Sequence, residues 1–76
     1  MEKITLEAIA ARMKAARLMA NMDQETAAHE LGIAKSTLSN YERAKTDATF
    51  QVARKMSDLY DVSLDWLGCL SDSMRD

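Results

Sequence analysis

Residues 23–45 read DQETAAHELGIAKSTLSNYERAK, and this stretch decides the fold. Asp23 suits the N-cap of a helix whose first turn holds Gln24 and Glu25. Gly32 stops that helix after Leu31, because glycine accepts the left-handed conformation that ends helices. A second short helix then covers Lys35 to about Arg43. Ala27, Ala28, Leu31, Ile33, Leu38 and Tyr41 are buried-type positions, with Ile33 filling the gap between the two helices. Lys35, Ser36, Thr37, Ser39, Asn40 and Arg43 crowd the other side. An apolar back and a hydrogen-bonding front on a helix-turn-helix suit insertion of the second helix into the DNA major groove.

The flanking sequence supplies further helices around this unit. Thr5 can cap a first helix from Leu6 to about Ala20, on which Ile9, Met13, Ala16 and Ala20 share one face. Arg12, Lys14 and Arg17 are placed on its other faces. Asn21 is a plausible left-handed stop, and Met22 turns inward. After a Thr- and Asp-rich loop at residues 44–48, Thr49 can cap a fourth helix through Tyr60. Its inward set is Phe50, Ala53, Met56 (or Val52), Leu59 and Tyr60. Ser63 caps a last helix, with Asp65 complementing its dipole. Residues 71–76, SDSMRD, read as a frayed tail. The expectation is one all-α domain of five short helices, with its core in residues 6–70.

Composition agrees and excludes alternatives. Seventy-six residues allow one domain at most, and a core of that size is marginal, so every helix has to contribute. Pro is absent and only two Gly occur, which favours helix over sheet. No run is long and apolar enough for a membrane span. The N-terminus lacks a secretory core, and a single Cys69 cannot pair within the chain, so a reducing cytoplasm is expected. Net charge is −2, but it is unevenly spread. Residues 1–55 hold nine Lys/Arg against seven Asp/Glu, whereas residues 56–76 hold one Arg against five Asp. Base therefore surrounds the proposed reading helix and acid sits in the tail. One His and one Cys far apart cannot make a zinc site. Cys69 has no neighbouring base, and no phosphate-cradling glycine loop is present. The chain is not expected to be an enzyme or to carry a cofactor or metal, and no small-molecule substrate is expected.

The order Arg17, Gln24, Ala28, Leu31-Gly32-Ile33, Ser36-Thr37-Leu38-Ser39, Tyr41-Glu42-Arg43, then Val62-Ser63-Leu64-Asp65-Trp66-Leu67 resembles the lambda-repressor-like (XRE/Cro/C1-type) helix-turn-helix proteins. The resemblance spans about Ile9 to Leu70 and joins two separated blocks. It implies a compact five-helix DNA-binding domain, usually a transcriptional repressor, often in phage or prophage circuits or toxin–antitoxin operons. It also implies an ion pair between Arg17 and Glu42 that ties helix one to the end of helix three, and a Gln24 that contacts the DNA backbone and braces the recognition helix. The chain differs from the family pattern at Ala34, Ala44 and Ala48. A Ser or Thr cap, a helix-ending glycine and a proline are common at those places.

Residue chemistry distributes the expected contacts. Lys35, Ser36, Ser39 and Asn40 are candidates for base contact, since Lys suits guanine O6 and N7 and Asn suits adenine N6 and N7. Gln24, Thr37, Arg43 and Lys45 are candidates for phosphate. Trp66, Leu67, Leu70 and Met74 form an apolar side, part of which must close the core over helix four; the remainder are candidates for a homodimer face, because operators of such motifs pair two half-sites about 34 Å apart. A second reading is a protein-interaction module of the same fold, an antitoxin or antirepressor part working through its acidic tail.

Overall fold

The computed structural model describes residues 4–75. Each helix starts where a short polar side chain can reach a free backbone N–H, with one exception. Thr5 Oγ1 accepts from Ala8 N–H at 3.1 Å and opens α1, Leu6–Met19. Asp23 Oδ1 accepts from Thr26 N–H at 2.7 Å and opens α2, Gln24–Leu31. α3, Lys35–Glu42, begins at Ala34, which has no side chain able to cap. Thr49 opens α4, Phe50–Tyr60, and Ser63 opens the single turn of α5, Leu64–Leu67. No strand occurs among the described residues.

The helix ends follow one scheme. A residue with positive φ lets its own N–H and the next one fold back onto the last carbonyls. Gly32 does this after α2, at φ 73°. Asn21, Ala44, Asp61 and Cys69 do it after the other four helices, at φ 56–62°. Asn and Asp tolerate this conformation, while Ala and Cys carry strain there.

All five helices share one core. Ala16, Ala27, Leu31, Leu38, Met56 and Leu67 are its most buried members. Arg17 is also buried, which corrects its placement on an outer face of α1: it lies four residues from Met13, on the same side. On α4 the inward set is Val52, Met56 and Tyr60, with Ala53 and Leu59 beside them. Phe50, expected inward, is 70% exposed. At about 100° per residue it lies some 120° around the helix from Met56.

The C-terminal stretch also differs from expectation. Residues 71–75 are strapped onto the domain, while Asp76 lies outside the described residues. Met74 packs against the core and its carbonyl accepts from Ser63 N–H at 2.7 Å. Arg12 donates to the Trp66 and Ser71 carbonyls, each at 2.7 Å, and its guanidinium lies 5.0 Å from the centre of the Trp66 ring. Of the apolar side shared between core and dimer face, Trp66 and Leu67 go to the core. Of the four residues proposed for that face, Leu70 alone is strongly exposed, at 73%. It borders an apolar groove of about 420 Å³ lined by Ile9, Phe50, Ala53 and Leu64 among others.

Candidate nucleic-acid interface

α3 is locked from behind. Leu38, Tyr41 and Glu42 are buried and turn one side of the helix into the core. At about 100° per residue, Lys35, Ser36, Ser39, Asn40 and Arg43 then fall within an arc of about 140° outside the buried side, which it adjoins at Lys35. Lys35, Ser36 and Arg43 are exposed, and Ser39 and Asn40 are half-buried. Thr37 is half-buried at the edge of this arc, and Lys45 is exposed in the loop that follows. Among the described residues, no intramolecular hydrogen bond or ion pair engages the side chains of these seven. The four proposed base readers thus share one outward face. Thr37 and Lys45 flank it, whereas Arg43, proposed for phosphate, lies on the face itself.

The end of α3 is fixed by a buried cluster. Arg17 Nε donates to Glu42 Oε2 at 2.8 Å, and Nη2 donates to Oε1 at 3.0 Å. The pair is bidentate and nearly dry, with Arg17 6% and Glu42 8% exposed. The third Arg17 nitrogen donates to the Met22 carbonyl at 2.9 Å, pinning the turn between α1 and α2. The hydrogen bond to Glu42 raises the Arg17 pKa against the opposing effect of burial. Beside the pair, the Tyr60 hydroxyl is buried and finds no partner among the described residues. Burial, then the Glu42 charge, pushes its pKa up to about 12.

Gln24 sits at the first position of α2, and its amide NH2 donates to Glu42 Oε1 at 3.0 Å. Asp23 caps the same helix end, and the Thr26 backbone N–H holds its carboxyl below the usual range. Asp23 and Glu25 place negative charge at this terminus, so an anion approaching it relies on the Gln24 amide and on nearby Lys35. The resemblance implied that Gln24 braces the recognition helix; that it does so on Glu42, eighteen residues away, is set by the packing of α2 on α3.

The model of the helix-turn-helix family matches residues 13–67. The chain belongs to the helix-turn-helix family. The domain is 45% identical over 56 residues to the HTH-type transcriptional regulator ImmR of Bacillus subtilis (strain 168). That match covers 74% of this chain and 44% of ImmR, so the chain spans less than half of that relative's length. The helix-turn-helix domain also superposes on the P22 c2 repressor protein, in its crystal structure with synthetic operator 9T in the presence of Tl+. The TM-score is 0.72, over 78% of this chain and 89% of that one. At 22% identity this likeness speaks for the fold, a lambda-repressor-like five-helix arrangement.

Proposed function

We propose that this chain is a sequence-specific double-stranded DNA-binding transcriptional regulator, acting as a repressor that inserts α3 into the major groove of a two-half-site operator. One observation carries the reading. α3 offers an ammonium, hydroxyls and an amide outward in a single arc while its back is clamped to the core by Leu38, Tyr41 and the Arg17–Glu42 pair. A rigid element with convergent polar groups is what base reading in the groove requires. Lys35, Ser36, Ser39 and Asn40 take the bases; Gln24, Thr37, Arg43 and Lys45 take phosphates. Relatives with a regulator's or repressor's name support this reading. A bacterial cytoplasm and a phage or prophage control circuit fit it, and it involves no catalysis and no cofactor.

Pairing of half-sites calls for two copies. Because Trp66 and Leu67 are spent on the core, the proposed homodimer seam is the groove rimmed by Phe50 and Leu70. Two acids of the C-terminal stretch are engaged within the chain: Asp72 lies 3.4 Å from Arg12, and Asp61 lies 3.5 Å from Arg75. This weakens the alternative of an interaction module working through a free acidic tail.

The test is a gel shift with duplex DNA at several salt concentrations. A regulator of this kind shows a steep loss of affinity with salt. Lys45→Ala weakens all duplexes alike and flattens the salt slope by about one. Retention that is independent of salt and of Lys45 would reject the reading.

A further inference from the structure

Glu42 uses its two oxygens unequally. Oε2 accepts from Arg17 at 2.8 Å, while Oε1 accepts from Arg17 and from Gln24, both at 3.0 Å. A carboxylate only accepts, so the Gln24 amide can meet it only through its NH2. The reversed amide would set oxygen against oxygen. The buried pair therefore fixes which way the Gln24 amide faces. One NH2 hydrogen is committed to Glu42, and the other remains available on a half-buried side chain at the first turn of α2. Arg17 also cancels the Glu42 charge, so a phosphate arriving here meets an amide donor and not a bare carboxylate.

We infer that Glu42 is a positioning residue for DNA binding: it holds the Gln24 amide so that its second hydrogen is presented to a phosphate oxygen. The inference rests on the reading of Gln24 as a phosphate contact. Its consequence is a mechanical link between the two helices. Glu42 belongs to the reading helix and Gln24 to the helix before it, so the phosphate clamp and the reading face are set in one register. The Arg17–Glu42 pair then acts on affinity through Gln24, and not solely by holding α1 to α3.

A double-mutant cycle on the whole chain tests this, with dissociation constants measured for one duplex selected from a random pool. Gln24→Ala is expected to weaken binding about tenfold, as for loss of one hydrogen bond to a charged group. Glu42→Gln is expected to weaken binding about tenfold in the wild-type background and less than about twofold in the Gln24→Ala background. The bases enriched in the selection stay the same. Equal losses from Glu42→Gln in both backgrounds would make its role purely structural and overturn the inference, leaving the phosphate contact intact. No loss from Gln24→Ala would overturn both. Circular dichroism reports whether each variant folds. Should Glu42→Gln fail to fold, Gln24→Asn carries the test, because it leaves the ion pair whole and is one methylene too short to span Glu42 and a phosphate. It is expected to bind no better than Gln24→Ala; wild-type affinity would overturn the inference.

Discussion

Ala44 offers a perturbation whose size can be worked out from the backbone. It closes α3 at φ 59°, where its N–H reaches the Tyr41 carbonyl at 3.3 Å and the Lys45 N–H reaches the Asn40 carbonyl at 2.9 Å. A Cβ in the left-handed region costs roughly 1–2 kcal/mol. Glycine removes that strain but adds freedom to the unfolded chain, about 0.4–1 kcal/mol. The net expectation for Ala44→Gly is a gain of about 0.5–1 kcal/mol. For a domain of this size, that raises Tm by roughly 2–8 °C. Gly32 supplies the mirror experiment. It closes α2 at φ 73°, and a Cβ built there meets nothing within 4 Å. Gly32→Ala therefore pays for backbone strain alone and should lose a similar amount. Thermal unfolding followed by circular dichroism, with urea titration as a check, measures both. A destabilised Ala44→Gly, or a neutral Gly32→Ala, would refute the argument that left-handed closure limits these two helix ends.

Three further outcomes follow from the buried cluster and the groove. Arg17→Met strands the Glu42 carboxylate in the core and should cost about 3–5 kcal/mol, while Arg17→Met with Glu42→Leu should recover most of it in urea unfolding. Tyr60 has a folded pKa of about 12 against an ordinary value of 10; the unfolded chain loses this proton first, so the stability tied to it is complete below pH 10. Between pH 10 and 12 it falls by roughly 1–3 kcal/mol; Tyr60→Phe should abolish this decline, and an unchanged alkaline profile would remove Tyr60 as its cause. Leu70→Glu should leave the fold intact, because the side chain is exposed, yet shift sedimentation to monomer and weaken operator binding; an unchanged mass would take Leu70 out of the dimer seam.

What the sequence revealed and what it hid divide by range. N-caps at Thr5, Asp23, Thr49 and Ser63 are local bonds over three residues, so their side-chain chemistry marks the helix starts directly. The arc of Lys35, Ser36, Ser39 and Asn40 is also local, because helical periodicity alone puts them on one side. Phe50 misled because it is the first residue of α4, where a large apolar side chain invites an inward reading, though Val52, Met56 and Tyr60 set the face. The division of Trp66, Leu67, Leu70 and Met74 between core and surface stayed open because a helix of one turn has no separate faces, and adjacent side chains can both enter the core. The tail looked frayed from its Ser and Asp content. What orders it is Arg12, 59 residues before Ser71 in sequence, and such a contact leaves no periodic trace. The partner of Gln24 is hidden in the same way: the resemblance implied a brace on α3, but not that Glu42 would take it.

The central claim is that the outward side of α3 reads bases. Selection of bound sites from random duplex DNA, run in parallel on the wild-type chain and on Asn40→Ala, tests it most directly. The expected result is an enriched, paired half-site for the wild type and, for the variant, lost discrimination at one position per half-site worth about 1–3 kcal/mol. The same enriched sequence bound equally well by both proteins, or no enrichment for either, would contradict it.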